Sequence, residues 1–169
     1  MNKDKSIETT GAAQVAPSRR SAPSIPANEE ILVYNGFYGM LTYKSRRNGL
    51  PLYFQNFGDS DYIPFGELQT MRATQPAFFQ NNWILIEDDD VIAALGVAKW
   101  YQNSLKIGEF DGVFAKTPKQ ISELLGKIPA AQKHVLYHMA CEKVKNGEID
   151  SKKKIEALEK AFGVSFEEV

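Results

Sequence analysis

Two histidines stand four residues apart in the stretch HVLYH, at His134 and His138, and the chain has no others. Residues at positions i and i+4 share one face of a helix, so the two imidazoles could chelate zinc, with Cys141 one turn further as a third ligand. Glu142 leans to the same side. The stretch lacks a glutamate after its first histidine, and no distant His or Cys could complete a tetrahedron. We therefore expect ordinary helix surface and no metal, with a site at His134, His138 and Cys141 as the weaker alternative.

Three consecutive aspartates, Asp88, Asp89 and Asp90, also invite a reading as ligands of a divalent cation. They stand directly before the apolar stretch VIAAL, however. Asp88 suits the N-cap of a helix, and negative charge in the first turn is favoured by the helix dipole. The sequence predicts a helix start here and no metal site.

Catalytic signatures are missing from the sequence. It has no glycine-rich phosphate loop, no G-x-G-x-x-G after a strand, and no serine in a nucleophile-elbow context. Cys141 falls within a helical apolar stripe, where a structural thiol is expected. We therefore expect a protein that is not an enzyme and uses no cofactor.

Composition limits the possible classes of function. The 169 residues are 43% hydrophobic and 24% charged, which is ordinary for a globular protein. The net charge of −1 gives no overall signal for nucleic acid or a membrane surface. A single cysteine excludes an internal disulfide and fits a reducing compartment. No apolar run approaches the ~20 residues that span a bilayer. We expect a protein made and used in a cytoplasm, or inside a particle assembled there.

The first 28 residues contain three prolines and many Ser, Thr and Ala, with isolated aliphatic residues. Such a segment cannot bury enough apolar area to offset its ordering entropy. The sequence predicts a flexible arm over residues 1–28 that folds upon a neighbouring subunit. Arg19 and Arg20 are its candidate contacts.

A β-hairpin is predicted around the turn KSRRNG, because Asn48-Gly49 tolerates the positive φ angles of a hairpin connection. The flanking stretches FYGMLTY and LPLYFQNF are rich in aromatic residues. Aromatics on paired strands are most often core or cross-strand cover, and cations at a turn are most often solvated. An aromatic and arginine-rich protrusion is also typical of binding hot spots. The candidate partner contacts of the hairpin are Tyr43, Lys44, Arg46, Arg47 and Tyr53.

The remaining elements complete an α+β prediction. The apolar run WILI (83–86) is expected in the centre of a sheet, and the helix after Asp88 is expected to continue into GVAKWYQNSLKIG before a loop begins. Thr117-Pro118 with Gln120 is a capping-box start for the first of about three C-terminal helices. We expect a small antiparallel or mixed sheet with an N-terminal hairpin in a domain over 29–115, then a helical unit over 116–169.

The C-terminal helices also support an alternative function. From Lys116 onward the chain holds ten lysines against eight acidic residues, with Lys152, Lys153 and Lys154 together at a helix start. Three short helices with such a patch could imitate a helix-turn-helix. A nucleic-acid-binding regulatory protein is therefore the alternative, although the positive excess is small for a surface that follows phosphates.

Four stretches carry a family resemblance: VYN, GMLTYKSRRNGLPLYFQNFGDSDYIPFGELQTMR, QPAFFQNNWILIEDDDVIAALG and KNGEIDSKKKIEALEKAFGV. Together they resemble small virion structural proteins of large tailed bacteriophages, over about residues 31–165. The resemblance implies a non-enzymatic capsid or tail component, assembled in the host cytoplasm, whose partners are other virion proteins or its own copies. It brings no catalytic residues. The expected function is that of a virion subunit that binds its neighbours through arm and hairpin, without nucleic acid or membrane as partner.

Overall fold

A computed structural model describes residues 24–166 and has an α+β fold, as the sequence predicts. Its strands are β1 (Glu30–Asn35), β2 (Leu41–Lys44), β3 (Pro51–Phe54), β4 (Ser60–Pro64) and β5 (Ile84–Leu85). Its α-helices are α1 (Phe65–Thr74), α2 (Ala77–Gln80), α3 (Asp89–Leu95), α4 (Phe110–Val113), α5 (Pro118–Leu125), α6 (Ala130–Lys145) and α7 (Lys152–Phe162).

The strands form two small antiparallel sheets. In the first, β1 lies between β4 and β5, with Ile31 opposite Ile63 and Tyr34 opposite Leu85. In the second, β2 pairs with β3 across the KSRRNG turn, and Tyr43 lies opposite Leu52.

The three-stranded sheet separates two hydrophobic cores. Ile31 and Val33 of β1 face the first core with α1, α2 and α3. Tyr34 of β1 and Leu85 of β5 face the second core, which α4 to α7 complete. Successive residues of a strand point to opposite faces, so β1 and β5 each contribute to both cores.

The predicted central position of the WILI run is wrong. β5 is an edge strand, and the centre is taken by β1. Ile84 nevertheless belongs to the first core and Leu85 to the second, and both are buried. A continuous apolar run therefore indicates that both faces of a strand are covered. Helices can cover both faces of an edge strand as well as those of a central strand.

Two predicted helix caps are present, whereas the predicted extent of one helix differs. Asp88 caps α3 by accepting hydrogen bonds from the backbone N–H groups of Asp90 and Val91, and Thr117 forms the expected capping box with Gln120, so both predictions are confirmed. The predicted continuation of α3 into GVAKWYQNSLKIG is wrong. The helix stops at Gly96, whose left-handed φ of 66° closes the last turn.

The structure describes the predicted arm only from Ser24 onward. Residues 1–23, with Arg19 and Arg20, lie outside the described residues. The five residues that follow lie on the body: the Ile25 side chain packs on the first core, and the Ala27 carbonyl accepts a 2.8 Å hydrogen bond from the Gly66 N–H. Residues 24–28 are thus bound to the start of α1 and are not part of a free arm.

The end of β1 is tied to two loops by Asn35, a fully buried residue. Its Nδ2 donates to the carbonyls of Gly39 and Asn56, at 2.9 and 2.7 Å, and its Oδ1 accepts from the Phe37 N–H. Gly36 follows and donates its N–H to the Trp83 carbonyl. The Asn35-Gly36 pair therefore fixes the entry and exit of the hairpin relative to the first sheet.

Candidate interaction surface

The hairpin tip is held in one shape by its own polar groups. The buried Ser45 hydroxyl accepts from the backbone N–H groups of Arg47 and Asn48, at 3.1 and 3.2 Å. The Ser45 N–H donates to the Leu50 carbonyl, and Gly49 takes a φ of 73°, as the turn requires. An ordered tip presents its side chains without a large ordering cost on binding.

Three cations project from this tip. Lys44, Arg46 and Arg47 are exposed, and the three ion pairs found between residues 24 and 166 involve none of them. The Arg47 guanidinium lies beside Gly66 at the start of α1. The charges of the tip are therefore exposed to solvent, and the role of Lys44, Arg46 and Arg47 as partner contacts stays a prediction.

The two predicted tyrosine contacts separate. Tyr53 is 59% exposed on the outer face of β3, whereas Tyr43 is 3% exposed and belongs to the first core. The Tyr43 hydroxyl donates to the Glu67 carboxylate, and burial together with this bond raises the pKa of Tyr43. Tyr43 is thus a core residue and is not exposed to a partner, whereas its neighbours Thr42 and Lys44 on β2 point outward, as strand periodicity demands.

Exposed large hydrophobic side chains gather on and beside the hairpin. Of the five between residues 24 and 166, Met40, Leu50 and Tyr53 belong to the hairpin region, Tyr62 to β4, and Val164 to the far end of the chain. We call Lys44, Arg46, Arg47, Leu50 and Tyr53 the hairpin surface. Sequence reasoning missed Leu50 and Tyr62. The available signal for Tyr62 was the alternation along the strand: adjacent strand residues point to opposite faces, so an inward Ile63 places Tyr62 outward.

A crevice runs between β3 and β4. It measures about 150 Å³, and its apolar walls include Leu50, Leu52, Tyr62 and Pro64. Small-molecule sites are generally ~300–1,000 Å³. The crevice is therefore of the size that one side chain of a protein partner fills.

The outer edge of β4 offers few free backbone donors to an added strand. The Phe65 and Asn35 N–H groups bond across the β1–β4 pair, so by antiparallel alternation the N–H of Tyr62 points outward. It is taken by the Asp61 carboxylate at 2.8 Å, and Pro64 has no N–H. Of the three outward positions Ser60, Tyr62 and Pro64, the last two therefore offer no free donor to an added strand.

The segment after Gly36 docks on α6 through a cluster of aromatic and ionisable groups. The Tyr38 ring stacks on the His138 ring with centroids 4.3 Å apart and planes 9° apart. The Tyr38 hydroxyl donates to the Glu142 carboxylate, and this bond, followed by burial, raises the pKa of Tyr38 to about 12. The contact joins the hairpin side of the molecule to the C-terminal helices.

The predicted histidine pair is brought together on α6, without its proposed third ligand. The Nε2 atoms of His134 and His138 lie 3.1 Å apart. Cys141 is buried, and its thiol interacts with Tyr137. Between residues 24 and 166, no group of three or more His, Cys, Asp or Glu side chains is arranged to hold a metal ion.

Protonation of His138 should destabilise the fold. Burial, and secondarily the charge of His134, lower the pKa of His138, while Glu142 opposes them. The folded state then binds fewer protons than the unfolded state, so the contribution is complete above the ordinary histidine pKa near 6.5 and is lost as pH falls below it. The other groups against this ring are Tyr38 and Tyr137.

We expect the melting temperature to fall as pH is lowered from about 7.5 to about 5.5, and the fall to be smaller in His138→Phe, which keeps a ring for the stack with Tyr38. Thermal melts of both proteins across this range provide the measurement. An equal slope in the two proteins would assign the pH dependence to carboxylates elsewhere.

The lysine patch of the nucleic-acid alternative is smaller than the sequence suggests. Lys152 and Lys153 are exposed, but the Lys154 ammonium donates to the Phe114 carbonyl at 3.0 Å and so anchors α7 to the end of α4. Lys143 is likewise engaged, by Asp111 and Glu148. These contacts favour a structural role for part of the C-terminal positive charge.

Comparison with known proteins finds no matching family model, no matching curated protein and no matching solved structure. Across residues 24–166, none of the helices combines the length and the apolar character needed to cross a membrane.

Proposed function

We propose that this chain is a non-enzymatic structural subunit of a tailed-phage virion that binds neighbouring subunits through its arm and the hairpin surface. The particle assignment rests on the sequence resemblance over about residues 31–165. The proposed partners are other virion structural proteins and copies of the chain itself, met during assembly in the host cytoplasm.

The observation that supports a contact role is the composition of the hairpin surface. It combines free cations at Lys44, Arg46 and Arg47 with the exposed apolar side chains of Leu50 and Tyr53. Arginine and tyrosine are enriched among the residues that dominate binding energies at protein interfaces. The ordered tip and the side-chain-sized crevice beside it favour a protein partner of acidic character.

We further propose that different parts of the chain have different roles in binding. The hairpin of β2 and β3, near the N-terminal end of the body, is the element that meets partners. The helices α5, α6 and α7 belong to the proposed C-terminal helical unit over 116–169, and the Tyr38 contact with α6 supports the hairpin. The arm, with Arg19 and Arg20, supplies a second contact.

The double variant Arg46→Glu and Tyr53→Ser tests the proposal. Both side chains are exposed, so the fold is retained, while a reversed charge and a lost aromatic contact weaken binding. We expect at least about tenfold less variant than wild type in purified particles, since loss of a hot-spot pair amounts to ~1.4 kcal/mol or more. Quantitative immunoblotting of particles against cell lysate provides the measurement.

A matched control carries equivalent changes at the other end of the chain. Lys127 and Val164 are exposed, and the double variant Lys127→Glu and Val164→Ser also reverses one charge and removes one apolar contact. It should enter particles like the wild type. Equal incorporation of both double variants would remove the hairpin from the proposal.

A further inference from the structure

We propose that His134 and His138 form a chelating site for a divalent late first-row transition-metal cation, which Zn²⁺ can probe. Neither the resemblance nor the proposed function calls for such a site. The inference rests on the distance between two nitrogens, on the fixed position of one ring, and on the charges around them.

The separation of the two nitrogens matches the bite of a chelate. A Zn–N bond is ~2.0–2.1 Å long, so two such bonds at a tetrahedral angle place their nitrogens roughly 3.3 Å apart, and at a right angle roughly 2.9 Å. The His134 and His138 Nε2 atoms are 3.1 Å apart. The two nitrogens therefore already lie at the separation that a chelated cation requires.

The His138 ring is already held in place. Tyr38 stacks on one face at 4.3 Å, and Tyr137 packs against it edge-on with centroids 5.2 Å apart. Both histidines belong to α6, a helix of 16 residues. Preorganised ligands lose little conformational entropy when a cation binds, which raises affinity.

The protonation state also suits a ligand pair. Two facing imidazole nitrogens can share one proton between them, and a cation that replaces this proton satisfies both lone pairs. Glu142, whose charge is felt at His138, favours a cation, whereas Lys133 beside His134 opposes it.

The remaining coordination positions fall to water. Cys141 is buried and turned to Tyr137, so it does not supply a third ligand. His134 is exposed, which leaves the outer side of the ion open to solvent. The site is thus a two-histidine chelate whose other coordination positions hold exchangeable water. It favours cations of borderline softness such as Zn²⁺ over Mg²⁺, which prefers oxygen ligands.

A cation here would strengthen a contact between the two halves of the molecule. Ligation fixes the His138 ring, and Tyr38 from the segment after β1 rests on that ring. Because the unfolded chain does not hold the two nitrogens at chelating distance, binding stabilises the folded state by mass action.

Calorimetric titration of the full chain with ZnCl₂ at pH 7.5 tests the site. We expect one equivalent of Zn²⁺ to bind, an accompanying rise in melting temperature, and no response to Mg²⁺. His134→Gln, a change at an exposed position, should weaken binding by at least about tenfold and remove the rise. Cys141→Ala should bind Zn²⁺ like the wild type, which separates this site from one that uses the thiol.

Three results would overturn the inference: no stoichiometric Zn²⁺ binding by the wild type, equal binding by His134→Gln, or loss of binding in Cys141→Ala. If Cys141→Ala is not folded by circular dichroism, the wild type with its thiol alkylated under denaturing conditions and refolded takes its place. If that protein is also unfolded, zinc-edge X-ray absorption of the wild type decides, since a sulfur ligand at ~2.3 Å contradicts the proposal and nitrogen and oxygen ligands alone support it.

Discussion

Gly36→Ala is expected to lower the free energy of unfolding by at least about 3 kcal/mol, because the added methyl group has no space. A Cβ on Gly36 would stand 2.2 Å from the Asn82 carbonyl oxygen and 2.8 Å from the Leu85 Cγ. The first of these contacts is with backbone, which cannot turn aside as a flexible side chain does. β1 and β5 would have to separate where the Gly36 N–H bonds to the Trp83 carbonyl.

Chemical denaturation of wild type and variant measures the effect, as a lower midpoint at unchanged m-value. Gly108→Ala is the matched control, since a Cβ on Gly108 meets no heavy atom within 4 Å. The control should unfold like the wild type. Equal midpoints for Gly36→Ala and Gly108→Ala would show that the junction between β1 and β5 is looser than described.

Asn35→Ala is expected to cost about 3–4 kcal/mol of stability. The substitution removes the partner of two carbonyls, those of Gly39 and Asn56, and of the Phe37 N–H. Buried polar groups left without a partner cost ~1–3 kcal/mol each, and relaxation and water entry recover part of the sum. Because these bonds fix both ends of the hairpin, amide exchange at the hairpin should accelerate together with global unfolding.

Denaturation and hydrogen exchange on Asn35→Ala check this expectation, with the exposed Asn81→Ala as the control for loss of an asparagine side chain. Hydrogen exchange that stays slow across β2 and β3 in Asn35→Ala would mean that other contacts position the hairpin.

Local signals in the sequence predicted local structure well. Asp88 and Thr117 were recognisable as caps because their function depends on neighbours within three residues. The α+β class follows from the change of periodicity from two to 3.6 along the chain. The exposure of Arg46 and Arg47 follows from their place in a turn.

Properties that depend on distant residues were not predictable in this way. Asn35 stands in an NG pair that resembles any turn signal, and its role exists because Asn56 returns beside it after 21 residues. Tyr43 and Tyr53 have equal intrinsic preferences, and strand pairing alone places one in the core and the other outside. The central position of β1 likewise depends on partners from opposite sides, β4 and β5.

The histidine pair shows the same limit at the site level. Helical spacing puts His134 and His138 on one face, but the stacking partner of His138 comes from Tyr38, a hundred residues earlier in the chain. The buried side of Cys141 similarly depends on the packing of α6 against its neighbours. Spacing therefore predicted the two-histidine face, whereas tertiary packing decides which further groups join it.

Cross-linking mass spectrometry of purified particles tests the central claim most directly. Lys44 is exposed at the base of the tip and reacts with amine-specific cross-linkers. We predict that it cross-links to a second virion protein or to another copy of this chain, and that the Arg46→Glu, Tyr53→Ser variant loses the link. Particles that lack this protein would contradict the claim. So would particles in which Lys44 is cross-linked to no other subunit although other lysines of the chain are cross-linked to one.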